Sequence, residues 1–203
     1  DNMATYRLDL VSQAIYDFFW NEYCDWYLEL SKPILWDANA SDAQKNATRY
    51  TLLSVLEQSL RLAHPLLPFI TEEIWLKAAP MLGISGDTIM LQPYPQTSAS
   101  GETAAVEHEI EWVKSVVLAL RNIRGELNIS PAKAMPALFS VGSAQDKALL
   151  AANQQYLLKL AKLEKIEWLE DTANAPAAAM QLAGDMEIRV PLAGFVDVKA
   201  EQA

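Results

Sequence analysis

The 203-residue chain is 51% hydrophobic and contains six Trp, which is ample for a packed core in one or two domains. Its net charge of −10 argues against generic nucleic-acid binding, which depends on Lys and Arg. No apolar run is long enough to span a bilayer, and one Cys with two His excludes an internal disulfide and an ordinary zinc site. We therefore expect a cytoplasmic protein without a metal, a cofactor or a membrane contact.

The first predicted element is a long helix over residues 5–34, stopped by Pro33 and the loop at residues 36–40. At about 100° per residue, one arc of this helix is aromatic-rich and is expected to be core: Ile15, Tyr16, Phe19, Trp20, Tyr23, Trp26, Tyr27 and Leu30. The opposite face mixes small polar, thiol, aliphatic and charged groups: Asp17, Asn21, Cys24, Asp25, Leu28 and Lys32. A purely solvated face would be mostly Lys and Glu, so this face is a candidate for recognition.

A second helix is predicted over residues 41–64. Ser41 and Gln44 have the spacing of a capping box at its start. Its apolar stripe consists of Leu52, Leu53, Leu56 and Leu60. His64, at the end, is expected to satisfy a last-turn carbonyl.

The third predicted helix is short and begins at Thr71, which has a side chain suited to an N-cap. Glu72 and Glu73 then fall in its first turn, where the helix dipole favours carboxylates. We expect Trp75 to point inward and the helix to end near Pro80.

Residues 83–101 contain many turn-forming residues and predict an irregular connection. A fourth helix follows over residues 102–127, with apolar residues every three or four positions: Val106, Ile110, Val113, Val117, Leu120 and Ile123. The four helices together predict a mainly α fold with an antiparallel helical bundle over residues 1–130.

The periodicity changes after Pro131. Short alternating segments at 135–141 and 165–169 flank an amphipathic helix at 146–163. Two more strands are predicted at 178–182 and 186–191, joined by a turn at Gly184 and Asp185. The pattern predicts a small α+β subdomain over residues 131–203.

The local basic cluster is formed by Arg121, Arg124 and Lys133. These residues either link the helices to the subdomain or contact phosphates. Cys24 is a poor candidate for a nucleophile, because no base is predicted within hydrogen-bond reach. The chain also lacks a Gly-rich phosphate loop. We therefore predict no catalytic residue.

Five segments of the chain are distinctive: NEYCDWYLE at residues 21–29, RLAHPLLPFITEEIW at 61–75, TIMLQPYP at 88–95, RNIRGELNISP at 121–131 and PLAGF at 191–195. These segments resemble the C-terminal anticodon-binding region of bacterial valyl-tRNA synthetases. The similarity covers essentially the whole chain. The nucleotide-binding motifs that this family uses for amino-acid activation are not found in the sequence.

The resemblance implies a class I ligase whose full chain joins valine to its tRNA with ATP and Mg²⁺. The present chain would recognise tRNA(Val) without activating valine itself, together with the rest of the parent chain and as a monomer. Leu28 would support an unstacked base, Asn21, Cys24 and Asp25 would contact base edges, and Lys32 would neutralise a phosphate. A coiled-coil arm would begin at about residue 203, and helices preceding residue 1 would complete the anticodon groove.

Two alternatives remain open from the sequence. The mixed face of the first helix also suits a plain contact between domains. The acidic charge and the lack of catalytic motifs also suit a helical protein-interaction scaffold.

Overall fold

The computed structural model describes residues 2–96, 103–172 and 175–192. The chain divides into two compact units, Asp1–Ala99 and Ser100–Ala203. Unit 1 is helical, and unit 2 combines helices with a four-stranded mixed sheet. No helix in the described residues is both long and apolar enough to cross a membrane.

Unit 1 begins with a continuous helical stretch in three segments: α1 (Leu8–Asp17), a π-helix (Phe18–Leu28) and α2 (Glu29–Leu35). Pro33 was expected to end this stretch but lies inside α2, which continues for two more residues. The end is closed instead by Trp36, whose backbone N–H donates to the carbonyl of Lys32. One missing donor in a last turn is tolerated, because the helix ends soon afterwards.

The expected assignment of Tyr16 and Trp20 to the core is wrong, since their exposed fractions are 58% and 55%. Two features explain this. The π-helix has i→i+5 hydrogen bonds, so the 100° step of an α-helix does not hold across it. In addition, α1 has no buried residue. A groove of about 630 Å³ is lined by α1, the π-helix and the two helices that come after α2 in the chain.

Those two helices are α3 (Asp42–Ala63) and α4 (Pro68–Ala78). The predicted capping box at the start of α3 is confirmed: the side chains of Ser41 and Gln44 each bind the other residue's backbone N–H. Leu60 is buried, while the other leucines of its stripe are half-buried. Short 3₁₀ turns at Ala79–Leu82 and Ile89–Leu91 complete the described part of unit 1.

The predicted start of α4 at Thr71 is wrong. The helix starts at Pro68, which suits the first helical position because proline lacks an N–H and has a preset φ. The Thr71 hydroxyl instead donates to the carbonyl of Leu67 and lies 2.7 Å from Nδ1 of His64. His64 therefore contacts this hydroxyl rather than the expected carbonyl. Trp75 is buried, as predicted.

Unit 2 contains α5 (Ala104–Glu126), β1 (Met135–Ser140), α6 (Ala144–Leu160), β2 (Leu163–Trp168), β3 (Ala178–Ala183) and β4 (Met186–Pro191). The sheet has the order β2-β1-β4-β3. Strands β1 and β2 are parallel and joined by α6, whereas β4 is antiparallel to both β1 and β3. All four predicted strands and the Gly184–Asp185 turn are present; Gly184 has φ 61°.

The division of the chain differs from the boundary expected at residue 130. Helix α5 belongs to unit 2, where its buried face packs on α6, β3 and β4. This face includes Trp112, Val113, Val116, Val117, Leu120 and Ile123. Val106, predicted to share it, is exposed. The predicted connection at 97–101 and the last three residues of the PLAGF segment lie outside the described residues.

Candidate nucleic-acid interface

The π-helix separates a buried face from an exposed one. Tyr23 is 8% exposed, and its hydroxyl donates to the backbone carbonyl of Leu52 in α3 at 3.0 Å. Burial raises the pKa of Tyr23 to about 12. Burial also raises the pKa of Tyr27, against the opposing effect of a hydrogen bond with Thr51. The inward face predicted for these two tyrosines is therefore present.

The candidate recognition residues lie mainly on the π-helix. Asn21 and Asp25 are exposed, Leu28 is 37% exposed, and Cys24 is half-buried. This set offers an amide, a carboxylate, a thiol and an aliphatic surface on one helical segment. These groups supply hydrogen-bonding atoms for base edges and an apolar surface for a base face.

Lys32 follows this set in α2 and is not an isolated charge. Its ammonium group pairs with the carboxylate of Glu29 and lies 5.8 Å from the centroid of the Trp36 ring. Both ion-pair side chains are about one-third exposed, so the pair remains in contact with solvent. A phosphate contact by Lys32 would have to compete with Glu29.

Arg124 occupies the centre of the predicted basic cluster. Its Nη1 atom donates to the carbonyls of Ser130 and Lys133 at 2.9 and 2.8 Å. Its Nη2 atom donates to those of Ala161 and Lys162 at 2.9 and 3.3 Å. Desolvation lowers the pKa of this guanidinium. The geometry favours the linking role, with hydrogen bonds to carbonyls instead of ion pairs, while Arg121 and Lys133 are exposed.

The sequence matches the family described as the anticodon-binding domain of tRNA ligase over residues 1–138. The chain belongs to this family. The match includes the whole of unit 1, with the π-helix, and continues through α5 into β1. It places the chain among the tRNA-binding parts of class I aminoacyl-tRNA synthetases. Anticodon recognition by a tRNA ligase is therefore the function that the sequence match supports.

The anticodon-binding domain also has a buried polar network that the sequence analysis missed. Glu57 in α3 is 2% exposed, and its carboxylate accepts a hydrogen bond from Nε1 of Trp75 at 2.8 Å. Its second oxygen pairs with Nη2 of Arg61 at 2.8 Å. The available signal was the i, i+4 spacing of Glu57 and Arg61. In the described residues, no three His, Cys, Asp or Glu side chains are grouped as metal ligands.

Arg124 should be important for the stability of unit 2. We expect Arg124→Ala to lower the free energy of unfolding by about 2 to 3 kcal/mol, because four carbonyls lose a charged donor. Arg124→Lys should recover little, since an ammonium group cannot reproduce the planar fork. The measurement is urea unfolding followed by circular dichroism.

Arg121→Ala, an exposed change on the same helix, is the matched control and should stay within about 0.5 kcal/mol of the parent. Equal stability of the Arg124 and Arg121 variants would contradict the linking role.

Proposed function

We propose that this anticodon-binding domain recognises tRNA(Val) for a valine–tRNA ligase. The observation that carries the proposal is the family match over residues 1–138, which contains the NEYCDWYLE segment on the π-helix. The other similar segments support the choice of valine. The parent enzyme would join valine to its tRNA in the cytoplasm with ATP and Mg²⁺, using parts outside the present chain, and would act as a monomer.

The exposed side of the π-helix suits the reading of unstacked bases. Leu28 presents an aliphatic surface beside which a base can lie. The side-chain amide of Asn21 both donates and accepts hydrogen bonds, and the carboxylate of Asp25 accepts them. Cys24 is half-buried and would contact a base only at close approach. Because Asn21, Asp25 and Leu28 are exposed, they are available without disturbing the core.

Charge sets the expected strength of this interaction. A chain with a net charge of −10 gains little from long-range attraction to RNA, so we expect an affinity in or above the micromolar range. Arg121 and Lys133 are the remaining phosphate candidates of the predicted basic cluster, because Arg124 uses its donors on carbonyls. Discrimination between anticodons should therefore depend on base contacts.

The test is fluorescence anisotropy with tRNA(Val) and with the same tRNA carrying an exchanged anticodon. We expect the cognate tRNA to bind at least tenfold more tightly. Leu28→Ala should weaken cognate binding by about 1 to 3 kcal/mol, by analogy with aromatic base platforms. It should leave the melting temperature nearly unchanged, because Leu28 is partly exposed.

Leu118→Ala provides the matched control, since Leu118 is another exposed helical leucine at 47% exposure. It should leave binding of both tRNAs unchanged. Equal binding of the two tRNAs by the unaltered protein would contradict anticodon recognition. A fall in melting temperature for Leu28→Ala that matches its loss of binding would assign Leu28 to packing.

A further inference from the structure

Trp36 is an exposed aromatic residue at the end of the first helical stretch of unit 1. It follows α2 directly and is 77% exposed, which makes it the most exposed of the six Trp in the chain. Large aromatic rings are usually buried to a high degree, because they gain much free energy by leaving water. Single exposed apolar side chains are nevertheless common, so exposure alone does not indicate a site. The support and the position of the ring distinguish Trp36.

The ring of Trp36 is supported on one side. The ammonium group of Lys32 lies 5.8 Å from the ring centroid, within the range of a cation–π contact. Lys32 is in turn held by the carboxylate of Glu29, three residues earlier on the same helix. The backbone N–H of Trp36 also donates to the carbonyl of Lys32 at 3.0 Å. This support reduces the conformational entropy that the side chain would lose on binding a ligand.

The opposite face of the indole is open. Lys32 lies over one face only, and a residue that is 77% exposed must leave most of the other face to solvent. An open aromatic face in a fixed orientation suits an unstacked nucleobase, because stacking requires a flat surface and no hydrogen-bond partner. The chain belongs to a family that binds tRNA, and Trp36 lies within the matched residues 1–138. An RNA base is therefore the ligand that fits this ring.

Trp36 also continues the candidate recognition face. Leu28, Lys32 and Trp36 follow one another at intervals of four residues, and the backbone is helical from Leu28 to Trp36. At 3.6 residues per turn these side chains fall within about 80° of arc, and Leu28 and Trp36 are about 12 Å apart along the axis. Bases in a continuous stack are only about 3.4 Å apart, so Leu28 and Trp36 would hold two bases that have been separated from each other.

We propose that Trp36 stacks on a second unpaired base of the anticodon loop, and that Lys32 is a positioning residue that holds the ring. The inference rests on the proposed function for the identity of the RNA and for the base beside Leu28. It gives Lys32 a role other than the phosphate contact expected from the sequence, because its ammonium group is shared between Glu29 and the ring. Every base has an aromatic face, so stacking on Trp36 adds affinity and leaves discrimination to contacts with base edges.

The test is fluorescence anisotropy of the whole chain with tRNA(Val) and with its anticodon-exchanged form. We expect Trp36→Ala to weaken binding of both tRNAs about tenfold, with the ratio between them nearly unchanged. Trp36→Phe should recover much of this loss, because it keeps an aromatic face. The matched control is Phe69→Ala, which removes a 90% exposed ring from α4 and should leave both affinities unchanged. All three variants should melt at the temperature of the parent protein, since the altered side chains are exposed.

A double-mutant cycle tests the positioning role of Lys32. Lys32→Met should weaken tRNA binding about threefold in the parent protein and add little to Trp36→Ala, because it acts through the ring. The dependence of affinity on salt should stay that of the parent, since no phosphate contact is lost. Lys77→Met, which removes a lysine paired with Glu73 in α4, controls for the change in net charge. Additive effects with a salt slope lower by about 1 would assign Lys32 to a phosphate and overturn the positioning role.

Equal binding by Trp36→Ala and Phe69→Ala would overturn the stacking role, even where the parent protein distinguishes the two anticodons. Weaker binding by Trp36→Ala, with equal affinity of the parent protein for both tRNAs, would support stacking and contradict anticodon recognition. A fall in melting temperature that accounts for the lost binding would assign Trp36 to packing and overturn the proposal. Loss of self-association in Trp36→Ala by sedimentation velocity, with RNA binding unchanged, would assign the ring to a protein contact and also overturn it.

Discussion

Glu57→Ala should lower the free energy of unfolding of the anticodon-binding domain by about 3 to 5 kcal/mol. The substitution removes the buried carboxylate that accepts from Nε1 of Trp75 and pairs with Arg61. Nε1 of Trp75 would then lose its acceptor in an apolar region that includes Leu60, Ala79 and Ile89. Arg61 would retain its hydrogen bond to the carbonyl of Pro93 but would lose its carboxylate partner. An uncompensated guanidinium costs more than the ion pair itself contributes. Urea unfolding followed by Trp fluorescence measures the loss.

Two variants make this expectation specific. Glu73→Ala removes an exposed carboxylate, paired with Lys77, and should change stability by at most about 0.5 kcal/mol. Glu57→Ala/Arg61→Ala should be less destabilised than the sum of the two single changes, because each single variant strands the other member of the pair and the double variant strands neither. Additive effects would show that Glu57 and Arg61 do not act as a pair.

Tyr23→Ala should cost about 3 to 5 kcal/mol, while Trp20→Ala should cost less than about 1. The larger ring gives the smaller effect because Trp20 is 55% exposed and Tyr23 is 8% exposed. Tyr23 also loses its hydrogen bond to the carbonyl of Leu52. Thermal melting of the two variants measures which substitution destabilises the protein more. Equal losses would place Trp20 in the core after all.

Tyr23 should also make the stability of the domain decrease at high pH. The pKa of Tyr23 is about 12 in the fold, against 10.0 for an ordinary tyrosine, so the folded state holds this proton more tightly. Its stabilising effect is fully present below about pH 10 and is lost as the pH rises through about 12. Tyr23→Phe should therefore show a shallower loss of stability over this interval. An identical alkaline decline would exclude Tyr23 as its source.

The sequence was most informative where local chemistry decides the structure. The capping box at Ser41, the turn at Gly184 and the alternating strands were predictable because a few adjacent residues determine each of them. The prediction that α4 starts at Thr71 was wrong, although it also rested on local chemistry. Two acceptable start signals were present, and the earlier one is used.

The features that were missed depend on distant residues. Nothing near Glu57 indicates that its carboxylate will be buried against Trp75, 18 positions away. The four carbonyls around Arg124 come from the α5–β1 and α6–β2 connections. The sequence does not indicate that these connections meet, so the hydrogen bonds of Arg124 could not be predicted from it. The candidate face was predictable as a set of residue types, but the π-helical backbone that carries most of it was not.

The strand order has a consequence for synthesis of the chain. Strand β1 is the first strand of the described sheet to be made, yet it lies between β2 and β4, and Leu138 must pair with Arg189 on β4, the last of its four strands. During translation, β1 can pair with β2 while its other edge still lacks a partner. Unit 2 therefore carries an open strand edge until β4 is made, whereas the helices of unit 1 already have their sequence neighbours. Slow elongation between residues 169 and 186 would prolong the exposure of that edge.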